Sequence, residues 1–579
     1  MAKQGNGVSK RLGVLIVILA VAALALVGRL AQLQLVSYQA YSEQAQDEHL
    51  TLLTLNPRRG AILDRNGYPL AASVDAYDVL VDRQVWDDPV RARRWAEGLA
   101  DVLNRPTEDI LKDLDTSVTR EAVVGRGLDY QASLKVEALD LLGVRLVRGS
   151  RRVYPEGNMA APLIGFVGRD NVGLTGLEID LNQDLAGASG SLLYERDGRG
   201  EEMPYGYRKQ VSPQPGADVI LTIDRFMQRL AERELDATIE EHQASGGNII
   251  IMDPRTGAIL AMASRPSFDL TSLNLADESQ MDLYRNRAIT DLYEPGSVFK
   301  TITMAAALNE GLVSPDSTYV DEGVVSLSGW TIANWDYAAH GTQTATQILS
   351  KSLNTGAVWL SQLLGPDRFY DYVYRFGFGQ PTAVGLSGEA PGQVRTPADD
   401  IWTEVDMATN SFGQGINITP LQLITAISAV ANGGKLMQPY VVQEIQRGDQ
   451  RQVFQPVEVR QVITAEAAHT LTQMMNAVVD GITMMYAISV PGYRVAGKTG
   501  TASISLPSGG YKPDTYIASF AGFVPSEDPV LAMLVKIDEP KDVPWGSAVC
   551  TPVFARLAQS ILAYLKVPPS PEALVQGSP

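Results

Sequence analysis

The middle of the chain carries the stretch that decides the fold, Glu294-Pro295-Gly296-Ser297-Val298-Phe299-Lys300-Thr301. Its proline and glycine interrupt regular structure, and the apolar run that follows contains neither residue type. This pattern predicts a helix that begins at Ser297 or just before it. Lys300 then lies one turn along the same face. A hydroxyl beside an amine is a nucleophile beside a candidate base, provided that burial and nearby positive charge lower the lysine pKa.

Ser-x-x-Lys alone is a weak signal, because a capping serine followed by a solvated lysine has the same spacing. Two further motifs strengthen it, Ser352-Leu353-Asn354 and Lys498-Thr499-Gly500-Thr501. The three motifs stand in the order, and at the domain-scale spacing, that is typical of serine acyl-transfer enzymes. Ser297, Lys300, Ser352, Asn354 and Lys498 are therefore the candidate catalytic residues.

Composition bounds the class of protein. The chain has 579 residues, enough for two or three domains, and its net charge of −18 argues against a nucleic-acid partner. A single cysteine, Cys550, excludes an intramolecular disulfide and a cysteine-based metal site. The histidines lie far apart without ligand spacing, so we predict surface or local structural positions for His49, His242, His340 and His469.

The N-terminus predicts a membrane anchor. Residues 1–11 are basic and contain no acid, and an uncharged apolar run begins at Leu12. The apolar pattern continues past Arg29 to Val36, so we favour one uncleaved spanning helix over residues 12–36, with its basic end in the cytoplasm and the rest of the chain outside it. A cleaved signal peptide, with Ala23-Leu24-Ala25 as its cleavage site, is the main alternative. A buried core helix is the third.

Residues 37–215 contain many short elements and no catalytic constellation, which predicts an elongated, mostly non-catalytic α+β domain. Within it, Asp64 to Gly67 has the sequence of a tight hairpin turn. A proline-rich boundary then leads into a catalytic domain over residues 216–566, and residues 567–579 form a polar tail that we expect to be disordered.

The catalytic region mixes strands and helices. We predict strands at 219–223, 249–252, 258–262, 494–501, 516–523 and 530–537. Predicted helices follow Asp224 and Thr419 as N-caps, cover 350–363 with Ser352 and Asn354 near the start, and cover 553–565.

A competing motif overlaps the third one. Residues 492–499 fit the phosphate-loop pattern G-x-x-x-x-G-K-[ST]. A phosphate loop must open a helix, whereas Gly500 and the residues after 505 favour a strand at Lys498. ATP is also scarce outside the membrane, so we disfavour nucleotide binding.

Taken together, the chain resembles the class B penicillin-binding proteins over nearly its whole length. The three motifs carry the resemblance, and so do Arg59-Gly60-Ala61-Ile62, Asp64-Arg65-Asn66-Gly67, Gly173 to Glu178 and Gly413-Gln414-Gly415. The Glu-Pro-Gly lead into Ser297 looks more like the septal, division-specific subgroup. The resemblance implies a membrane helix, a pedestal domain of the dimerisation type, and a transpeptidase domain with a five-stranded antiparallel sheet flanked by helices.

The family's mechanism carries over residue by residue. Ser297 would attack the penultimate D-Ala carbonyl of a stem peptide, with Lys300 as base and Lys498 lowering the pKa of Lys300 by its charge. Ser352 would pass a proton to the departing amine, and Asn354 would orient Lys300 and the substrate. Thr499, Gly500 and Thr501 would bind substrate, with the N–H groups of Ser297 and Thr501 as the oxyanion hole.

The resemblance implies no metal or other cofactor. The implied partners are peptidoglycan stem peptides, β-lactams, the membrane, a multi-spanning lipid II polymerase and other division proteins, with no nucleic acid. Alternatives are an elongation-type transpeptidase, a D,D-carboxypeptidase or β-lactamase, and a non-catalytic division scaffold. We expect Cys550 to be a buried apolar residue and Glu294 to be a surface or loop residue without a catalytic role.

Overall fold

The computed structural model describes residues 5–39, 50–168, 170–195, 203–273, 277–486, 489–506 and 509–570. The chain divides into two compact units. The first unit comprises Met1–Arg58, Asp75–Ser150 and Gly187–Pro215, and the second comprises Arg59–Val74, Arg151–Ala186 and Gly216–Pro579. Two segments of the predicted pedestal region therefore belong to the same unit as the catalytic motifs.

The strands, in chain order, are β1 (Leu50–Leu55), β2 (Ile62–Leu63), β3 (Pro69–Asp82), β4 (Glu121–Leu128), β5 (Val144–Val153), β6 (Gly190–Glu195), β7 (Arg208–Val211), β8 (Asp218–Leu221), β9 (Gly246–Met252), β10 (Ile259–Arg265), β11 (Thr318–Asp321), β12 (Val324–Leu327), β13 (Trp330–Ala333), β14 (Gly341–Thr344), β15 (Lys435–Met437), β16 (Val442–Arg447), β17 (Gln450–Val453), β18 (Glu458–Gln461), β19 (Ala496–Ser505), β20 (Tyr511–Val524) and β21 (Leu531–Asp538).

The α-helices are α1 (Gly5–Ala31), α2 (Pro89–Leu103), α3 (Thr107–Thr116), α4 (Tyr130–Ala138), α5 (Ala161–Ile164), α6 (Gly176–Asp180), α7 (Asn182–Leu185), α8 (Arg225–Glu241), α9 (Arg287–Thr290), α10 (Lys300–Asn309), α11 (Ala345–Ser350), α12 (Asn354–Arg375), α13 (Glu404–Asn410), α14 (Pro420–Ala431), α15 (Ala465–Tyr486) and α16 (Gly546–Tyr564). A π-helix covers Gln32–Val36, and 3₁₀-helices cover Glu278–Tyr284 and Gly296–Phe299.

The first unit holds the apolar N-terminal helix and a small α+β fold. Lys10–Val36 is long and apolar enough to cross a membrane, in agreement with the predicted anchor. Strands β1, β6 and β7 form an antiparallel sheet. Strand β4 pairs with the second half of β3, and α2 and α3 bury Leu99 and Ile110 in one core with Val79 and Val124.

The second unit is built on an antiparallel five-stranded sheet in the order β10-β9-β21-β20-β19, as the family resemblance implies. Successive side chains of a strand point to opposite faces, so the sheet serves two cores. Ile249 and Ile251 pack with α8 and α16 on one face. Ile250 and Met252 pack with α10, α12, α14 and α15 on the other.

The predicted turn at Asp64 is confirmed, and its carboxylate also caps a helix. Asp64 Oδ1 accepts hydrogen bonds from the backbone N–H groups of Asn66 and Tyr68, both at 2.8 Å. Asp64 Oδ2 accepts from the N–H of Arg225, the first residue of α8, at 3.1 Å. A helix start leaves its first N–H groups without partners inside the helix. The turn therefore ties the segment at residues 59–74 to the start of α8.

A fully buried ion cluster holds the same segment. The Glu178 carboxylate accepts from Arg59 Nε at 2.6 Å and from Arg152 Nε at 2.7 Å. Arg59 also donates to Asn182 Oδ1 at 2.8 Å, and Arg152 donates to the carbonyl oxygen of Gly60 at 2.6 Å. Buried charges are tolerated only when they are paired and hydrogen-bonded. Each charged group of this cluster is paired and hydrogen-bonded, and among its described nitrogens Arg152 Nη2 is buried without a hydrogen-bond partner.

Most predicted elements of the second unit are confirmed, and two of them, outside the three motifs, differ. The strand predicted at 219–223 exists as β8, but it pairs with β2 and β16 and lies outside the five-stranded sheet. The last helix begins at Gly546, earlier than the predicted 553, because Pro552 is accommodated inside the helix. Asp224 and Thr419 are N-caps as predicted. The ends of the predicted cytoplasmic and C-terminal tails, residues 1–4 and 571–579, lie outside the described residues.

Replacing Glu178 by alanine should lower the free energy of unfolding by about 3–5 kcal/mol, because it leaves two buried guanidinium groups without their shared carboxylate. Urea unfolding of the detergent-solubilised chain measures the change. Glu458→Ala is the control, since Glu458 pairs with Lys435 at an exposed position and should cost less than about 1 kcal/mol. Equal, small losses for the two variants would contradict a stabilising role for the buried cluster.

Candidate active site

The predicted nucleophile lies at the start of a buried helix. Gly296–Phe299 forms a 3₁₀ turn that leads directly into α10, which begins at Lys300. The turn replaces the first α-helical turn that the sequence predicts. Lys300 is 0% exposed, and its Nζ lies 3.1 Å from Ser297 Oγ. The hydroxyl and the amine are therefore in hydrogen-bond contact, as the Ser-x-x-Lys spacing requires.

The second motif lies in a break between two helices. Helix α11 ends at Ser350, and α12 begins at Asn354. Ser352 adopts a left-handed backbone conformation with φ of +55°, so the predicted single helix over 350–363 is wrong for this residue. The break brings two oxygens to the amine, since Lys300 Nζ donates to the Ser352 carbonyl at 2.6 Å and to Asn354 Oδ1 at 2.8 Å.

The third motif reaches the same point from the sheet. Lys498 lies on β19 and is 1% exposed. Its Nζ contacts Ser352 Oγ at 3.1 Å and the Thr499 carbonyl at 3.2 Å. Ser352 Oγ also lies 3.3 Å from Lys300 Nζ, so one hydroxyl stands between the two lysines. Thr501 Oγ1 accepts from the Gly546 N–H at 3.3 Å.

Burial controls the charge of both amines. It lowers the pKa of Lys300 well below its usual range, with the charge of Lys498 as a second cause. It lowers the pKa of Lys498 to about 7. Two ammonium groups this close to one hydroxyl would repel each other, so a charge on one amine disfavours a charge on the other.

A neutral Lys300 amine has two N–H groups and one lone pair. The two shortest contacts, to the Ser352 carbonyl and to Asn354 Oδ1, involve oxygens that can only accept, so they take the two N–H groups. The third direction of the amine faces hydroxyl groups, with Ser297 Oγ the nearer at 3.1 Å. The lone pair can therefore take the Ser297 proton.

Two family models cover most of the chain. Residues 54–221 match the penicillin-binding protein dimerisation domain, and residues 247–559 match the penicillin-binding protein transpeptidase domain. The chain belongs to the class B penicillin-binding proteins.

Individual relatives of this class B penicillin-binding protein extend the match. Stage V sporulation protein D of Bacillus subtilis is 36% identical over 93% of this chain and 83% of the relative. Peptidoglycan D,D-transpeptidase FtsI of Escherichia coli K12 is 30% identical over 99% of this chain and 95% of the relative. The crystal structure of penicillin-binding protein 3 from Mycobacterium tuberculosis with aztreonam has a TM-score of 0.68 at 28% identity, covering 90% of this chain and 98% of that chain.

Close backbone packing surrounds the turn that carries Ser297. Gly296, with φ of +57°, donates its N–H to the Gly413 carbonyl at 3.0 Å. A Cβ added to Gly413 would lie 2.2 Å from the Gly296 oxygen. A Cβ added to Gly500 would lie 2.9 Å from the Pro295 oxygen. Glycine is therefore required where the nucleophile turn meets the loop at residues 413–415 and strand β19.

The sequence analysis expected Glu294 to be a surface or loop residue, and it lies in a loop, but it is buried rather than on the surface. The residue is 6% exposed, and its carboxylate accepts from the Tyr511 hydroxyl at 3.2 Å and from the Gly415 backbone N–H. Burial raises its pKa. No periodic pattern surrounds Glu294, and its partners lie far along the chain, so local sequence carried no sign of its burial.

Three further features of the sequence are the phosphate-loop pattern, the cysteine and the possible metal ligands. Lys498 lies within a ten-residue strand and opens no helix, so the phosphate-loop interpretation lacks its structural context. Cys550 is 0% exposed, which confirms the predicted buried position, and burial raises the pKa of its thiol. Within the described ranges, no group of three or more His, Cys, Asp or Glu side chains is arranged to hold a metal ion.

The lowered pKa of Lys498 predicts a pH-dependent contribution to stability. Between a folded pKa of about 7 and the ordinary 10.5, the unfolded chain binds more protons than the folded chain. The free energy of unfolding should then rise with pH, by up to about 1.4 kcal/mol per pH unit in this window. Lys498→Met lacks this titration. In urea unfolding, the free energy of unfolding of wild type minus that of the variant should therefore increase from about pH 7.5 to pH 9.5. A difference that stays constant with pH would contradict the assignment.

Proposed function

We propose that this class B penicillin-binding protein is a membrane-anchored peptidoglycan D,D-transpeptidase that cross-links stem peptides through an acyl-enzyme on Ser297. The contact that carries the proposal is the 3.1 Å approach of a buried Lys300 amine to Ser297 Oγ. The amine is held by two acceptors, and burial lowers its pKa, both of which favour a role as general base.

In the acylation step, Ser297 Oγ attacks the carbonyl carbon of the penultimate D-Ala while Lys300 takes its proton. The resulting oxyanion would be stabilised by the backbone N–H groups of Ser297 and Thr501. The C–N bond to the terminal D-Ala then breaks, and Ser352, standing between the two amines, passes a proton to the departing nitrogen. The products are free D-Ala and an ester on Ser297.

In the second step, an amine of a neighbouring stem peptide attacks the ester. A proton returns to Ser297 Oγ as the new amide forms. We assign Asn354 to the orientation of Lys300 and the substrate amide. Lys498 would bind the terminal carboxylate together with Thr499 and Thr501, while Gly500 allows the close approach of β19 to the nucleophile turn.

The first test is labelling of the full chain in detergent with a fluorescent penicillin, beside Ser297→Ala. Wild type should form a covalent adduct that is lost slowly, because a transpeptidase site disfavours water as acceptor. Ser297→Ala should lose labelling and keep its thermal unfolding midpoint, since the change removes one hydroxyl. Labelling of a folded Ser297→Ala variant would contradict the assignment of the nucleophile.

The products separate this function from its alternatives. Cross-linked dimers formed from lipid-linked stem peptides support transpeptidation, whereas release of D-Ala without dimers indicates a D,D-carboxypeptidase. Rapid loss of the penicillin label indicates a β-lactamase. A non-catalytic scaffold predicts that a Ser297→Ala strain divides normally.

We also propose that the enzyme acts in septal wall synthesis, with its N-terminus in the cytoplasm and its catalytic domain outside the membrane. The basic residues before the apolar helix support this orientation. The relative FtsI covers nearly the whole chain, and the Glu-Pro-Gly lead into Ser297 also favours the septal subgroup over the elongation subgroup. A multi-spanning lipid II polymerase and other division proteins are the proposed partners.

The septal role predicts that depletion of the protein produces filaments, because elongation continues while the septum fails to close. A fluorescent fusion should gather at mid-cell. Rounded cells after depletion would instead indicate an elongation enzyme. A defect confined to spore formation would assign the role named for the relative from Bacillus subtilis.

A further inference from the structure

A buried carboxylate lies behind the Ser-x-Asn motif. Asp321 is the last residue of β11 and is 1% exposed, and its carboxylate accepts hydrogen bonds from four different residues. The donors are Thr355 Oγ1 at 2.7 Å, the Gly323 N–H at 3.0 Å, Asn334 Nδ2 at 3.0 and 2.9 Å to the two oxygens, and the His340 N–H at 3.1 Å. One carboxylate is thus hydrogen-bonded both to the first turn of α12, through Thr355, and to the segment at residues 323–340, through Gly323, Asn334 and His340.

The carboxylate fixes the orientation of the Asn334 amide. Carboxylate oxygens only accept, so the amide must turn its nitrogen toward Asp321, and the same nitrogen also donates to the Ala338 carbonyl at 3.2 Å. Asn334 Oδ1 is then left facing Thr355, whose backbone N–H it accepts at 3.3 Å. Thr355 is the residue after Asn354, so the contact acts on the first turn of α12.

The next residue along the chain completes the connection to the amine. The Ala333 carbonyl accepts from Asn354 Nδ2 at 2.9 Å. This contact turns Asn354 Oδ1 toward Lys300 Nζ, 2.8 Å away. The backbone at residues 333–334 therefore determines which end of the Asn354 amide faces the base.

We propose that Asp321 is a positioning residue for acylation, which sets the orientation of Asn354, and through it of Lys300, by holding Asn334 against Thr355 in the first turn of α12. The proposal rests on the proposed function of Ser297 and Lys300. Asp321 touches neither substrate nor the reacting atoms, and its effect passes through Asn354.

The role requires an acceptor at both oxygens of Asp321. In Asp321→Asn, one oxygen becomes an NH₂ group that faces N–H or O–H donors whichever way the amide turns. This donor-to-donor contact is relieved only if the Asn334 side-chain amide turns over. Its NH₂ group would then face the Thr355 N–H, which is also a donor. The disturbance therefore reaches the residue that follows Asn354, although the variant changes almost no volume.

The test measures acylation of the full chain in detergent by a fluorescent penicillin, with the rate at saturation and the pre-covalent dissociation constant determined separately. Asp321→Asn should lower the saturating rate on the order of 10- to 100-fold, as expected for a small displacement of a catalytic group, and should leave the dissociation constant nearly unchanged. Glu322→Gln, an exposed neighbour, is the matched control and should behave as wild type.

A double-mutant comparison separates positioning from a general loss of structure. Asn354→Ala removes the group through which Asp321 acts, so Asp321→Asn should add little to it. Independent, multiplying losses would overturn the proposal. The proposal would also be overturned if Asp321→Asn were acylated at the wild-type rate in an experiment in which wild type is labelled and Ser297→Ala is not. Labelling of Ser297→Ala would instead overturn the proposed function.

A second pair of variants answers the case in which Asp321→Asn unfolds. Thr355→Val keeps nearly the same side-chain shape and removes the shortest donor to Asp321. The saturating rate should fall in a chain that stays folded at the assay temperature, with an unfolding midpoint somewhat below that of wild type because a buried hydrogen bond is lost. Thr355→Ser keeps the hydroxyl and should restore the rate. Equal rates for the two Thr355 variants would overturn the proposal.

Discussion

The second unit depends on the burial of two lysine amines on either side of one hydroxyl. Ser352 Oγ lies 3.3 Å from Lys300 Nζ and 3.1 Å from Lys498 Nζ. Two full charges there would repel each other at a buried position, and burial lowers the pKa of both amines. A helix, a helix break and a strand must meet at one point to create this arrangement. The left-handed Ser352 and the glycines at 296, 413 and 500 are the backbone features that allow it.

The sequence predicted those features that depend on neighbouring residues. Asp224 and Thr419 cap helices through bonds to residues two or three positions away, so their role is visible in a short window. Four of the five strands of the central sheet contain apolar runs that the sequence analysis predicted as strands. The fifth, β19, is largely polar, and a strand was predicted there because the residues that follow exclude a helix. The three motifs that meet at the candidate active site were recognisable because each keeps its own short pattern.

The features that were missed depend on contacts between distant segments. Glu294 is buried by Tyr511, which lies 217 positions away, and Ser352 leaves the helical conformation to reach Lys300. Strand β8 has the composition of a sheet strand, but its hydrogen-bonded neighbours are β2 and β16, which lie far from it in the sequence. The Arg59–Glu178 contact joins residues 119 positions apart, and the acid and the bases look like ordinary surface charges in the sequence. Propensity and periodicity hold no information on such pairings.

The full burial of Cys550 has a practical consequence. The thiolate is the reactive form of cysteine, and a thiol that is both inaccessible and held protonated reacts with neither maleimides nor mild oxidants in the folded state. Because the chain contains no other cysteine, the folded native protein should not react with thiol-specific reagents. One cysteine introduced at an exposed position would carry a single fluorophore or spin label, so distances and motions can be followed without removing any native residue.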